Sequence, residues 1–153
     1  MVQGTDNDYY INHLFDGSWN RAGAIFLDYR NSADFSDPHS IVYGHHLIND
    51  TMFSALEGYK EQWFYDAHPT AQVITPEGVY TLHFFAGYVA DTSTDAWRLD
   101  VSGEEMTQWL DAAIRRSWFR ADRYPAPGDR IVTLSTCSYE FEDARFVLLG
   151  FLE

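Results

Sequence analysis

The 153-residue chain is predicted to be a mostly β domain, a barrel or sandwich carrying helical insertions. Three observations predict it. Short runs of Val, Ile, Leu and aromatic residues recur between breaks rich in Gly, Pro and Asp. Hydrophobic residues make up 46% of the chain and aromatic residues 17%, enough for one substantial core. Only one long segment carries a helical period, and no repeat, low-complexity tract or Ser/Gly linker marks a boundary, so residues 1–153 are expected to form one domain.

The elements follow in order. Ala24 to Tyr29 is an apolar run with aromatics, and Ser40 to Gly44 a short β-branched and aromatic one. Two short helices are expected at about Thr51 to Leu56 and Lys60 to Tyr65. Ala71 to Thr75 and Val79 to Ala90 flank Pro76-Glu77-Gly78, the signature of a hairpin turn. From Ser102, apolar residues at Met106, Trp109, Leu110, Ala113, Ile114 and Trp118 fall on one helical face. Ser102 is placed as the N-cap, with Glu105 completing a capping box. Glu104 and Glu105 at the start and Arg115 and Arg116 at the end complement the helix dipole. Arg130 to Thr136 and Arg145 to Leu152 close the chain as two further strands.

Asp and Glu number 23 against 10 Lys and Arg, for a formal net charge of −13. Such a field repels phosphate backbones and anionic headgroups, which excludes nucleic acid as an expected partner and favours neutral or cationic ones. No run approaches the ~20 apolar residues of a membrane span. The segment Met1 to Asp6 lacks the basic and apolar regions of a signal peptide, so the chain as given is expected to be soluble.

Cys137 is the one cysteine, at the end of an apolar run. A solitary thiol makes no internal disulfide and no Cys-rich metal site, so it is a small core hydrophobe or a nucleophile. A nucleophile needs a base and donors for a developing oxyanion. His45 and His46 follow Val42-Tyr43-Gly44, and Arg145 opens the strand after Cys137. Gly44 would let a substrate backbone approach. The plain alternatives stand beside these: a surface His pair, or Arg145 paired with Glu142 or Asp143. Adjacent strand residues face opposite ways, so His45 and His46 are not expected to share a metal. His13, His39, His68 and His83 are read as structural or surface residues. The acidic group Asp91, Asp95 and Asp100 lacks the spacing of a calcium loop.

Thr133-Leu134-Ser135-Thr136-Cys137 resembles the Thr-Leu-x-Thr-Cys strand end of the sortases. Tyr43-Gly44-His45 is similar to the tripeptide that supplies their histidine, and Arg145 matches their arginine, in the same order along the chain. Asp8-Tyr9-Tyr10, Asn20-Arg21-Ala22-Gly23, Ile25 to Asn31 and Met52-Phe53-Ser54-Ala55-Leu56 resemble class B in particular, as does a long helix before the cysteine strand. The resemblance runs from about residue 8 to the end.

The resemblance implies a closed eight-stranded sortase-type β-barrel, with short helices and one longer helix inserted before the cysteine strand. It implies a cysteine transpeptidase that cleaves an Asn-Pro-x-Thr-like sorting signal through a thioacyl intermediate and passes the acyl group to an amine of a peptidoglycan precursor or a pilin lysine. Cys137 would be the nucleophile, His45 the acid and base, and Arg145 the oxyanion donor. Thr136, with Ser135 and Leu134, would contact substrate. No cofactor and no metal are implied. The expected location is the outer face of the cell membrane or the cell wall, through an anchor that the given residues do not include. Two positions depart from the pattern: Tyr139 stands where some class B members carry an acidic residue, and His46 where a polar residue is common. A peptidase releasing the intermediate to water, or an inactive peptide-binding barrel, would be the alternatives.

Overall fold

The computed structural model describes residues 1–47, 51–138 and 140–153, so Tyr139 lies outside the described residues. Seven strands form one mixed sheet: β1 (Val2–Gln3), β2 (Phe26–Leu27), β3 (His39–Tyr43), β4 (Thr70–Thr75), β5 (Gly78–Asp91), β6 (Ile131–Cys137) and β7 (Ala144–Leu152). Their order is β1-β2-β3-β6-β7-β5-β4. The sheet wraps one core drawn from β2, β3, β5, β6 and β7 together with the helices. Nearly every residue of β7 is buried, so this strand reads as a continuous apolar run instead of an alternating one.

The mostly β architecture and the inserted long helix match expectation. The strand count among the described residues is seven where eight are implied, and β1 and β4 stand at the sheet's two edges. Beyond the named strands, pairing there is limited to isolated bridges at His13–Trp19 and His46–Met52. The run Ala24 to Tyr29 contributes only two residues of strand, because the Asp28 carboxylate accepts from the Arg30 backbone N–H at 3.0 Å and turns the chain. The hairpin forms as the turn residues dictate, Thr75 pairing with Gly78 across Pro76-Glu77. A register shift between Phe84 and Ala86 lets the long β5 serve both β4 and β7.

The two short helices lie a few residues later than expected, as a 3-10 helix over Ser54–Lys60 and α1 over Gln62–Ala67. The long helix α2 spans Gly103–Arg116 and buries Trp109 and Ala113. Its capping box does not form. Ser102 makes no side-chain cap bond, and Glu105 is drawn instead to Arg98 at 2.7 Å. Trp118 is also not part of the buried helix face: the helix ends at Arg116, and Trp118 is 47% exposed on the segment that crosses β5, its N–H donating to the Gly87 carbonyl at 2.8 Å.

Among the histidines, His39 is fully buried. One ring nitrogen lies 2.6 Å from the Arg98 carbonyl and the other 2.8 Å from the Thr133 hydroxyl. His83 bonds Glu153 at 2.9 Å beside Arg123. Both are satisfied structural groups. The acids Asp95 and Asp100 are taken by Arg116 and Arg98.

Candidate active site

The site is built where two parallel strands stop together. β3 runs beside β6 in parallel, Tyr43 level with Ser135, and the Gly44 N–H still donates to the Ser135 carbonyl at 3.1 Å. His45 therefore leaves β3 at the level where Cys137 ends β6. The antiparallel partner β7 sets Arg145 directly opposite Cys137, which puts thiol and guanidinium on one face of the sheet. All three side chains line one cleft of about 610 Å³.

The surrounding bonds define the electrostatics. His45 Nε2 lies 2.5 Å from the Ile11 main-chain oxygen. A carbonyl only accepts, so Nε2 carries the proton and Nδ1 is left for chemistry. Cys137 is half-buried and unpaired as a thiol. Arg145 donates to the Ala144 carbonyl at 3.0 Å, and among the described residues no carboxylate pairs with it. Glu142 and Asp143 do not take it up, so its positive charge is available to the cleft. His46 points away from His45: its Nδ1 lies 3.3 Å from the Cys137 carbonyl oxygen and 3.6 Å from Glu57. Among the described residues no group of three or more acidic, His or Cys side chains is arranged to hold a metal.

Ser135 and Thr136 line the cleft, whereas Leu134 packs against the core and is not part of the lining. The Ser135 hydroxyl accepts from Trp97 Nε1 at 3.1 Å. The Thr136 hydroxyl oxygen is buried with no hydrogen-bond partner among the described residues. Gly44 lines the cleft as well. A Cβ there would meet the Phe53 ring at 2.6 Å, so the missing side chain makes room for Phe53.

Other cleft residues carry no motif that singles them out in the sequence. Asn7 and Ile11 come from the N-terminal segment, and Thr92, Thr94, Trp97 and Arg98 from the connection between β5 and α2. The one available signal is a Trp within a Thr/Ser/Asp-rich turn, an unusual place for a large aromatic residue unless it packs or binds. Below the cleft, Tyr43 donates to the buried Asp28 at 3.1 Å, and Asp28 also binds Arg30 and Asn7. Burial pushes the Asp28 carboxyl up, but the Arg30 and Asn7 hydrogen bonds outweigh it and hold it at about 2.

A thiol, an imidazole with a fixed tautomer and an unpaired guanidinium around one hollow can supply the nucleophile, the proton carrier and the oxyanion donor of acyl transfer through a thioester. No protein-family model matches the chain. It is 36% identical to Sortase B of Listeria monocytogenes over 98% of its own length and 62% of that protein. The chain thus spans less than two thirds of the curated relatives it matches. Among solved structures, a Staphylococcus aureus sortase B-substrate complex superposes with a TM-score of 0.92 at 34% identity, over 99% of this chain and 72% of that one. A Sortase B complexed with triglycine superposes with a TM-score of 0.91 at 35% identity, over 99% and 73%.

Proposed function

The chain belongs to the sortase B family, and on that premise we propose that it is a cysteine transpeptidase whose site is Cys137, His45 and Arg145. The observation that carries the assignment is the register pair Cys137–Arg145 at the mouth of the cleft that His45 also lines.

Cys137, as thiolate, attacks the carbonyl carbon of the Thr in an Asn-Pro-x-Thr-like signal. The carbon–sulfur bond forms as the carbonyl electrons move onto oxygen, and Arg145 stabilises that oxyanion. Collapse breaks the carbon–nitrogen bond, and imidazolium His45 gives its proton to the departing amine. An incoming amine then attacks the thioester, giving its proton to His45 as the amide forms and the thiolate leaves. Ser135 and Thr136 contact the peptide next to the bond being cut. The amine is that of a peptidoglycan precursor or a pilin lysine, and the reaction belongs at the Gram-positive cell surface. The substrate and triglycine complexes of the similar structures support a peptide donor and an amine acceptor sharing this cleft. Among the described residues no helix is long and apolar enough to cross a membrane.

The test is mass spectrometry of the chain incubated with Asn-Pro-x-Thr and Leu-Pro-x-Thr peptides, with and without triglycine. A thioacyl adduct on Cys137, resolved to an amide when triglycine is added, is expected. Unchanged cleavage by Cys137→Ala overturns the assignment, and release to water alone in the presence of amine makes the chain a hydrolase.

A further inference from the structure

The connection after Cys137 is tied down by a charged cluster that the chemistry above does not use. Lys60, the chain's one lysine, ends the 3-10 helix Ser54–Lys60, and its side chain is only 15% exposed. Its Nζ lies 2.5 Å from Glu57, 2.5 Å from Glu140 and 3.1 Å from the Ser138 hydroxyl. An ammonium has three N–H donors, and these three partners occupy them. The Trp118 and Phe146 rings lie 5.6 Å and 5.8 Å from the nitrogen. Ser138 in turn donates to Glu140. Burial draws the Lys60 pKa down, but Glu140 and Glu57 outweigh it and raise it, so the group stays a cation and serves neither as base nor as amine nucleophile.

The cluster joins the two arms of the site. On one side, Ser138 and Glu140 belong to the turn that leaves Cys137. On the other, Glu57 reaches His46, the neighbour of His45, whose ring also bonds the Cys137 carbonyl. Among the described residues the turn's other backbone bonds are those from the Ser138 N–H to the Ala144 carbonyl at 2.9 Å and from the Ala144 N–H to the Phe141 carbonyl at 3.2 Å, and Asp143 sits at φ 60°, a conformation that costs a non-glycine residue. Without the ammonium, Glu57 and Glu140 would face each other as two like charges across Ser138 and drive the turn off the helix.

We propose that Lys60 is a positioning residue for Cys137, clamping the turn behind the thiol to the helix behind the histidines so that Cys137 and His45 keep one separation. Its catalytic consequence rests on the transpeptidase assignment above; its effect on the thiol does not. Two readouts on Lys60→Met test it. With a peptide donor and triglycine, kcat falls roughly ten- to a hundredfold while KM stays within about threefold, the pattern of a displaced nucleophile and not of lost binding. Alkylation of Cys137 by iodoacetamide shifts to higher pH, because two carboxylates beside the turn lose their counter-charge. Circular dichroism identifies a variant that has unfolded. In that case Glu140→Gln, which keeps the shape and leaves Lys60 bound to Glu57, decides by the same fall in kcat and by an alkylation profile that moves to lower pH, since it removes a negative charge beside the turn. A folded Lys60→Met, or failing it Glu140→Gln, with wild-type kcat and a wild-type alkylation profile overturns the proposal. Absence of peptide cleavage by the wild type would overturn the transpeptidase assignment instead, while alkylation would still report on the clamp.

Discussion

The His45 imidazole is held by the Ile11 main chain, Nε2 to carbonyl oxygen at 2.5 Å, across 34 residues of sequence. A backbone carbonyl here does what a carboxylate does in many nucleophile–histidine pairs, orienting the ring and choosing its tautomer. The room for that carbonyl is left by Gly23. Its φ of 58° is a left-handed conformation suited to glycine, and a Cβ at that position would stand 2.4 Å from both the Ile11 and Tyr10 oxygens.

Gly23→Ala is therefore expected to push the Ile11 carbonyl off His45. The loss in kcat should be roughly ten- to a hundredfold, with most of the fold intact by circular dichroism. An unchanged kcat would show that His45 does not depend on this support.

Arg145→Met removes the guanidinium opposite Cys137 while keeping its apolar stem. The expectation is a fall in kcat of about 10²–10³-fold, the usual range for loss of an oxyanion donor. Steady-state kinetics on a fluorogenic peptide measures it, and a change under about threefold would remove Arg145 from the mechanism.

Gly44→Ala places a methyl group 2.6 Å from the Phe53 ring and should destabilise the protein by about 1–3 kcal/mol through overpacking. Phe53→Leu in the same chain should restore part of that loss. Urea midpoints of the two single variants and the double one test the coupling; strict additivity would contradict the contact.

Acid should weaken the fold through His39. Burial holds its pKa down at about 4 against an ordinary 6.5, the Arg98 carbonyl opposing only in part. The unfolded chain takes up the proton first as pH falls. The stabilisation is thus complete above about 6.5 and is lost as pH drops through about 4, on the order of 3 kcal/mol in all. Urea midpoints at pH 7.5 and 4.5 should show it. His39→Asn should start less stable but lose less stability between the two pH values.

The strand at Arg145 to Leu152, the hairpin at Pro76-Glu77 and the helix through Trp109 and Ala113 were legible because their signals are local, a run, a turn pair and a 3.6-residue period. The capping box at Ser102 and Glu105 was a local signal too, yet Arg98 took the glutamate. Trp118 fitted the helical spacing, but the chain leaves the helix before reaching it. At the capping box the Arg98 ion pair outweighed a preference of about a kilocalorie.

The sequence by itself determined the strand-forming runs, the long helix and the identities of Cys137, His45 and Arg145, since each stands within or beside a short contiguous motif. Only the tertiary structure decided that those three share a cleft, that Ile11 orients His45, and that Lys60 clamps the turn behind Cys137. The physical reason is separation along the chain. Bonds spanning 34 residues to Ile11, 78 to Ser138 and 91 from His46 to Cys137 leave no period or spacing to read, and exist because the fold brings the N-terminal segment and the Ser54–Lys60 helix to the ends of the paired strands β3 and β6.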